Sequence, residues 1–418
     1  YFLNTTAGTI TVNLPAGAAG SIVSVADYAA TWQTYSVTVT PNGSEKIGGV
    51  EGSVTLNVEG QSVTLVYVDG TQGWVNTMDS TSNVRANLFP EATGGTPSTG
   101  AICGDYKTHT FTGPGSLCVS NAGQPSGSTV IDYVVVAGGG GGGRDDFGSG
   151  STRRNGSGGG AGGFRVSNAL SLPAPLTSPL ASPTGITASI TSYPITVGAG
   201  GPGSISCSSP AEYIPGGKGS NTIFSTITST GGGGGLGHSC GPTSAGPAPA
   251  QVARSNGGSG GGVQHCTSNP VGCLGRGNNP PVSPSQGFPG GLMGPHPVSP
   301  YGFGGGGGGG AAAAGAVGGY LPSEGNGGSG SYISPAFGGC NGTPGPVAAR
   351  YFAGGGAAGN QGGLTGGDGG GGAGGAAGDS GGAGTAGTVN TGGGGGGARL
   401  ANGAGGGSGV VIIRYKFQ

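Results

Sequence analysis

The sequence predicts an all-β chain with essentially no α-helix. It divides into a small β-sandwich-like module (1–80), a linker and β connector (81–130), and a glycine-rich bundle of polyproline-II helices on a short β base (131–418). Three observations predict this class. Short alternating strands fill the first part, glycine supplies 109 of the 418 residues and does so in blocks, and β-branched runs stand at both edges of the glycine-rich part.

The first 80 residues carry the alternation of a half-buried sheet. Ile10, Val12 and Leu14 alternate with polar residues, the period of two that places apolar side chains on one face of a strand. The same alternation returns at 54–58, and the Pro-Asn-Gly turn signal at 41–43 separates two strands. Short strands with Gly and Asn turns indicate a small β-sandwich or barrel-like module, and no helical pattern interrupts them.

Charge excludes several classes of protein. The formal net charge is −1 and charged residues make up 7% of the chain, whereas binding to nucleic acid or to an anionic membrane surface requires clustered Lys and Arg. No apolar run approaches the roughly 20 residues that span a bilayer, so we expect no membrane insertion. The low charge also argues against disorder, which usually accompanies high charge and few aromatic residues.

The glycine blocks are unlike collagen, which needs Gly at every third position. Blocks such as 138–143 and 392–397 are runs of consecutive glycines. An α-helix is also excluded, because each Gly costs about 1 kcal/mol relative to Ala. Polyproline-II helices make no internal hydrogen bonds, so chains without side chains can approach until the backbone groups of neighbours pair. A flexible linker is the alternative, and the strands that bound the blocks argue against it.

A short β base should close the bundle where the chain enters and leaves it. Val134, Val135 and Val136 precede the first glycine block, and Val-Val-Ile-Ile at 410–413 follows the last. Both are short apolar, β-branched runs, which are typical of buried strands. We expect the two runs to pair with each other.

The seven cysteines give an odd count, so at least one thiol is free or pairs between chains. Cys103 and Cys118 flank a stretch that indicates a strand and a turn, and they form either a disulfide or two free thiols. The other soft ligands are spaced too irregularly for zinc, which favours tidy pairs. We expect no metal there, and the alternative is one disulfide with surface histidines. This group comprises His238, Cys240, His265, Cys266 and Cys273.

Neither a cofactor site nor a catalytic centre is predicted. A phosphate-binding loop needs Lys and then Ser or Thr after its glycines, whereas Arg144 and two aspartates follow the block 138–143. A glycosidase needs two carboxylates held about 5–9 Å apart on a scaffold. The chain has 15 acidic residues, and those of the glycine-rich part lie in loops or within blocks, where a solvated turn is the simpler role. We therefore expect no enzyme activity.

Two parts of the chain resemble bacteriophage tail fibres. Residues 1–78 resemble a β-module of phage fibres, especially those of marine cyanobacteria, in the stretches YFLNTTAGTITVNLPAGAAGSIVSVADYAATWQTYSVTVTPNGSEKIGG and VEGQSVTLVYVDGTQGW. Residues 108–418 resemble the glycine-rich domain at the ends of many phage tail proteins, in THTFTGPGSLCVSNAG, STVIDYVVVAGGGGGG and the closing GGGSGVVIIRYKFQ. The resemblance implies a tip adhesin whose glycine-rich sandwich carries variable loops that recognise the host.

Aromatic and arginine side chains are the candidate receptor contacts, because such residues supply much of the energy of recognition surfaces. The arginines can also pair with lipopolysaccharide phosphates. Two alternatives stay open: the rings instead cap the bundle ends, where glycine leaves no hydrophobic core, and the arginines lie in a solvated loop. The candidates are Arg144, Phe147, Arg153, Arg154, Tyr213, Tyr301, Phe303, Tyr320, Tyr332 and Phe337.

The resemblance implies an extracellular, virion-borne adhesin at the end of a tail fibre. Its partners are then a host bacterial surface receptor, either a glycan or an outer-membrane protein, and other tail proteins. The β-module resembles segments that trimerise, so we expect a homotrimer, although a glycine bundle of this kind also stands alone. A purely structural virion fibre, decorating the head or tail, is the second hypothesis. The third is an extracellular ice-binding or matrix protein, and the irregular loops argue against the flat repeat array that ice binding requires.

Overall fold

The computed structural model describes residues 1–79, 87–144, 155–172, 177–205, 215–237, 249–263, 274–295, 303–319, 324–345, 348–359, 363–376 and 382–418. Strands account for 32% of the chain and helices for 2%, which confirms an all-β protein with essentially no α-helix. The helices of the described residues are short: α1 (Pro249–Ser255) and α2 (Pro335–Gly338). Within these residues, no helix has the length and apolar character needed to cross a membrane.

The strands are numbered in chain order. The N-terminal part contains β1 (Phe2–Leu3), β2 (Ile10–Asn13), β3 (Ile22–Asp27), β4 (Val37–Thr40), β5 (Lys46–Ile47), β6 (Val50–Glu51), β7 (Val54–Leu56), β8 (Ser62–Asp69) and β9 (Gly73–Asp79). Then follow β10 (Pro90–Thr93), β11 (Thr96–Cys103), β12 (Tyr106–Phe111), β13 (Gly115–Ala122), β14 (Val130–Val136), β15 (Phe164–Ser167), β16 (Ala181–Ser182), β17 (Ile186–Thr187), β18 (Ser192–Thr196), β19 (Thr222–Phe224) and β20 (Ile227–Ser229). The last are β21 (Gly294–Pro295), β22 (Phe303–Gly304), β23 (Ser331–Ile333), β24 (Thr343–Pro344), β25 (Arg350–Phe352) and β26 (Val410–Lys416).

Residues 1–79 form two sheets around one core. One sheet has the order β1-β3-β8-β9-β5-β6 and the other the order β2-β4-β7. The alternation of the sequence sets the two faces of each strand, so Val23 and Val25 of β3 are buried while Ile22 is exposed. Two fully buried tryptophans fill the space between the sheets. Their indole N–H groups are satisfied, since Trp32 donates to Leu3 O at 3.4 Å and Trp74 to Glu45 Oε2 at 3.2 Å.

A second pair of sheets forms the β base of the glycine-rich part. One has the order β11-β12-β26-β14-β15-β16, with β17 also paired to β14, and the other the order β10-β13-β18-β19-β20. The predicted pairing of the two apolar runs is confirmed: β14 and β26 are antiparallel, with Val134 opposite Ile412 and Val136 opposite Val410. The base is larger than predicted, because the stretch 87–130 adds β10 to β13 to it. Leu117 and Phe224, which are fully buried, lie in its core.

The core of the base contains a buried histidine and tyrosine. His109 and Tyr415 are both fully buried, and their rings stack with centroids 5.6 Å apart. His109 Nδ1 lies 2.7 Å from Gly94 O, and a carbonyl only accepts, so this nitrogen carries the proton. Burial lowers the pKa of His109, so the ring is neutral and its Nε2 accepts from the Tyr415 hydroxyl at 3.0 Å. Burial also raises the pKa of Tyr415 to about 12, which keeps this donor protonated.

A buried arginine and aspartate face each other across β14 and β26. Asp132 and Arg414 occupy paired positions. Asp132 accepts hydrogen bonds from Ser167 Oγ at 2.7 Å and from the backbone after β15. Arg414 donates to Leu170 O at 2.7 Å, and its guanidinium carbon lies 4.2 Å from the centroid of the Tyr106 ring. These bonds fix the chain that follows β15 to the outer face of the base.

Above the base, the glycine blocks form straight segments that are neither strands nor α-helices. We call them glycine helices and number them in chain order. They are g1 (137–143), g2 (155–163), g3 (198–204), g4 (215–220), g5 (231–237), g6 (257–263), g7 (287–292), g8 (305–310), g9 (314–318), g10 (326–330), g11 (354–359), g12 (364–367), g13 (371–375), g14 (383–388), g15 (393–398) and g16 (403–409).

Helix g1 has three residues per turn. Its N–H groups donate to three neighbours in rotation, so that residues three apart reach the same neighbour. The bonds, 2.8–3.1 Å long, run from Gly138 and Gly141 to g4, from Gly139 and Gly142 to g16, and from Gly140 and Gly143 to g2. Its carbonyls accept in the same rotation from g5, g3 and g15. This repeat, without a positive φ in g1, is that of polyproline II, as predicted.

The six neighbours of g1 form a closed ring. In the order g4, g3, g16, g15, g2 and g5, each helix is hydrogen-bonded to the next, and g5 is bonded back to g4. The packing is therefore hexagonal, and the backbone of g1 is satisfied by chains far apart in sequence. Only glycine permits this spacing. A Cβ at Gly140, for example, would lie well under 3.0 Å from Gly233 O of g5.

Candidate functional site at the distal end of the bundle

The direction of each glycine helix shows which end of the bundle it reaches. Helix g1 leaves β14 and runs away from the base. Helices g3, g5 and g15 run parallel to g1, since Gly201 and Ser204 donate to Gly139 and Gly142 in rising order, and g5 and g15 bond in the same sense. Helices g2, g4 and g16 run the opposite way. The connections g1–g2, g3–g4 and g15–g16 therefore lie at the end opposite the base, which we call the distal end.

The same reasoning extends to the outer helices. Helix g6 runs parallel to g5, helix g7 runs parallel to g6, and helix g13 runs parallel to g15. The C-terminal residues of g6, g7 and g13 therefore lie at the distal end. Helix g11 is antiparallel to g2, and g9 is antiparallel to g8, which itself runs parallel to g2, so these two also end there. The described residues that flank eight segments of the chain therefore converge on one end. These segments are 145–154, 206–214, 238–248, 264–273, 296–302, 320–323, 360–362 and 377–381, and all lie outside the described residues.

Six of the candidate receptor contacts fall in these segments. Their flanking residues are at the distal end, and the side chains themselves lie outside the described residues. They are Phe147, Arg153, Arg154, Tyr213, Tyr301 and Tyr320. A scaffold of hydrogen-bonded glycine helices whose connections begin and end on one side is suited to recognition, because connections can vary in sequence without disturbing the helices.

Arg144 is the candidate whose contacts at the distal end are described. It follows g1, is partly exposed, and donates from Nη1 to Asn402 Oδ1 at 2.6 Å. Asn402 is exposed and belongs to the connection between g15 and g16. The bond joins two connections of the distal end and holds a guanidinium beside an amide, a pair that can bind carboxylate, phosphate or hydroxyl groups.

Asn402 was missed in the sequence. Its connection interrupts the last two glycine blocks with Arg-Leu-Ala-Asn at 399–402. That break of four non-glycine residues, two of them polar, is the signal that could have revealed it.

Phe303, Tyr332 and Phe337 occupy other places. The backbone of Phe303 pairs with Pro295 between β21 and β22, next to a distal segment. Tyr332 of β23 packs against Tyr351 of β25, with ring centroids 5.5 Å apart and ring planes tilted by 43°, in a small sheet that follows g10 at the base end.

Phe337 does not belong among the candidate receptor contacts. Its side chain is 1% exposed, packs in the cluster beneath the bundle with Phe164 and Phe352, and lies 5.1 Å from the guanidinium carbon of Arg414. A ring buried in this way cannot reach a receptor. It fills the space between the outer face of β14 and β26 and the glycine helices, which is the capping role that the sequence left open.

The cysteine bridge is not formed. Cys103 and Cys118 are free and exposed, and they lie on β11 and β13, which belong to different sheets of the base. Cys118 Sγ instead lies 3.6 Å from Ser192 Oγ on β18. The alternative of two free thiols therefore holds for this pair. The residues of the expected histidine and cysteine group, at 238–240 and 265–273, lie outside the described residues.

Comparison with known proteins identifies one family. The family model of a glycine-rich domain matches residues 119–416, from β13 to the end of β26. The matched range begins and ends in the base and includes every glycine helix. No curated protein matches the chain.

Proposed function

Given that the chain belongs to the glycine-rich domain family, we propose that it is the distal adhesin of a bacteriophage tail fibre. In this proposal it binds a receptor on the host bacterial surface, a glycan or an outer-membrane protein, through the segments of the distal end. The chain is then an extracellular virion component that contacts other tail proteins, and it catalyses no reaction.

One observation carries the proposal: the described residues that flank eight segments of the chain converge on one end of the bundle, and that end is opposite the base. Many backbone hydrogen bonds hold the base and the glycine helices together and leave them little freedom to change. The distal segments hold the aromatic and arginine residues of the candidate surface. Residues of these types dominate binding energy where they are presented on a rigid support, because less conformational entropy is lost on binding.

The family match supports the glycine-rich architecture, and the tail-fibre assignment rests on the resemblance of residues 1–78 and 108–418 described above. The trimeric state belongs to the same proposal. Since the base and the glycine helices of a single chain satisfy one another, the bundle needs no second chain to fold, and trimerisation falls to residues 1–79.

The experiment is adsorption competition. Purified protein is mixed with a panel of candidate host bacteria, bound protein is measured by fluorescence, and the phage is then added. We expect the protein to coat the host strains and to reduce phage adsorption in proportion to occupancy.

Two variants make the test specific. In the first, a short Gly-Ser linker replaces segment 264–273 at the distal end. In the matched control, the same linker is inserted at the exposed hairpin turn 104–105 of the base. We expect the first to lose binding and the second to keep it, with equal unfolding temperatures. A folded protein that coats no cell but remains attached to virions would instead support a purely structural fibre.

A further inference from the structure

We propose that a groove on the side of the bundle binds an additional polyproline-II segment, rich in glycine and proline and supplied by another polypeptide. The groove runs between g3 (198–204) and g16 (403–409), which lie side by side and antiparallel on the outside of the bundle. This site is separate from the distal end, and its existence does not depend on the adhesin proposal.

Among the described residues, no helix fills the groove, which is an open position of the hexagonal packing. Helix g1 has six hydrogen-bonded neighbours, whereas g3 bonds to g1, g4 and g16, and g16 bonds to g1, g3, g14 and g15. The outward sides of g3 and g16 therefore lack partners among the described residues. An added helix that lies against both g3 and g16 would extend the hexagonal packing. It would contact these two helices on the side opposite g1.

The two walls of the groove offer complementary rows of backbone groups. On g3, the N–H groups of Gly200 and Gly203 donate no hydrogen bond within the described part of the chain. On g16, the carbonyls of Gly403 and Gly406 accept none from the same residues. All four residues are partly exposed.

The spacing of these rows matches the proposed occupant. Donors three residues apart stand on one wall and acceptors three residues apart on the other, which is the repeat of a polyproline-II helix. Helix g1 binds each of its neighbours through such a row, since residues three apart in g1 donate to, or accept from, the same neighbouring helix. The groove thus resembles the edge of a β-sheet, which accepts an added strand through its unpaired backbone groups.

The open space beside Gly405 is a second observation that supports the groove. Elsewhere in the glycine helices an added Cβ would press on a neighbouring atom, most often a backbone carbonyl, but at Gly405 the closest atom is Gly201 O at 3.5 Å, an ordinary contact. Its φ is not positive, so its conformation does not require glycine either. Glycine at such a place costs stability relative to alanine. Packing against the described residues does not explain it, whereas the close approach of another backbone to the groove does.

The chemistry of the groove selects a glycine- and proline-rich occupant. Its walls carry no charged residue, so an ionic partner gains nothing there. Proline is compatible with this packing, since Pro202 lies in g3 with its ring exposed to solvent, and its fixed φ lowers the entropy that an added segment loses on binding. Glycine is required at the positions that face the two walls.

The test uses a fluorescently labelled peptide of Gly-Gly-Pro repeats and the full chain, with binding measured by fluorescence anisotropy. We expect saturable binding that Gly405→Leu weakens by at least about tenfold, because the new side chain occupies the groove. Ala386→Leu, at an exposed position of g14, should leave binding unchanged. Absence of binding to the wild-type chain, or equal binding by Gly405→Leu, overturns the proposal.

A second measurement does not depend on how well a variant folds. Amide hydrogen exchange of the wild-type chain is followed by NMR with and without the peptide. We expect the amides of Gly200 and Gly203 to become slower by at least about tenfold, since they acquire acceptors. If binding protects other amides and leaves these two unchanged, the peptide binds elsewhere and the groove is not its site.

Discussion

At the scale of single residues, the missing side chains of the glycine helices determine how closely the backbones pack. Each glycine from Gly138 to Gly143 is bounded by a carbonyl of a neighbouring helix, so that even one added carbon atom collides with backbone rather than with a movable side chain. The entropy that glycine loses on folding is offset because every N–H and C=O from Gly138 to Gly143 is paired.

A substitution in g1 should therefore lower the free energy of unfolding far more than the small size of the added group indicates. We expect Gly140→Ala to lower the free energy of unfolding by about 2 kcal/mol or more, because g5 must move away from g1. Gly405→Ala is the matched control, and it should leave stability unchanged or raise it by up to about 1 kcal/mol. Denaturant unfolding of the two variants measures the difference. Equal stability of both would show that the helices are packed less tightly than described.

His109 should make stability depend on pH. Its pKa in the folded chain is lowered below 6.5, first by burial and then by Lys107. The unfolded chain therefore takes up the proton first as pH falls. The stabilising contribution is complete above about pH 6.5 and is lost as pH falls below this value toward the folded pKa.

The measurement is the free energy of unfolding at pH 7.5 and at lower pH, for the wild type and for His109→Phe. The wild type should become less stable on acidification, and the variant should lose part of that slope. The variant also removes the hydrogen bond between His109 and the Tyr415 hydroxyl, which keeps Ala92 O as its acceptor at 3.3 Å, at a cost of about 0.5–1.5 kcal/mol at neutral pH. An unchanged slope would mean that His109 titrates alike in the folded and unfolded chain.

At the scale of elements, residues 324–359 attach the outer helices to the base. Helix α2 and the small sheet β23-β25-β24 stand between g10 and g11, and Phe337 of α2 enters the cluster formed by the outer face of β14 and β26. This packing explains why an aromatic residue next to glycine blocks is structural here. Glycine contributes no apolar surface, so the junction with the base depends on a few large side chains.

Phe337→Ala should lower the free energy of unfolding by about 3–5 kcal/mol, the usual cost of truncating a buried aromatic ring. Tyr332→Ala, at a half-exposed position of the neighbouring strand, should cost less. Thermal or denaturant unfolding compares them. At a temperature where Phe337→Ala remains folded, it should bind the host as well as the wild type does. A loss of binding without unfolding would show that Phe337 contributes to receptor binding.

At the scale of the whole molecule, g1 is the central helix of the glycine-rich part, hydrogen-bonded to six others. Its partners extend from g2 to g16, so its hydrogen bonds cannot open without separating helices from most of the domain. We expect the amides of Gly138 to Gly143 to exchange only through global unfolding, and those of Gly200 and Gly203 to exchange faster by several orders of magnitude. Hydrogen exchange under native conditions measures this directly. Comparable rates in both groups would contradict the central place of g1.

Part of the candidate site could be foreseen in the sequence. The candidates chosen between glycine blocks fall at or beside the distal segments, apart from Tyr332 and Phe337, because a break in a glycine helix occurs only at an end. Which end could not be foreseen. A break at 331–352 leads to the base and one at 145–154 leads to the distal end. Both contain phenylalanine next to glycine blocks, so an aromatic residue in a break does not reveal which end that break reaches.

The sequence by itself determined the two kinds of backbone in this protein. Alternation defined the strands, the apolar runs at 134–136 and 410–413 defined the pairing that closes the base, and consecutive glycines left polyproline II as the conformation that packs without side chains. Only the tertiary structure decided which glycine helix lies beside which, that Phe337 is buried, and that no described residue fills the groove at Gly405. The physical reason is that identical glycines carry no pattern that specifies a neighbour, so the order of the helices depends on hydrogen bonds between residues far apart in the chain.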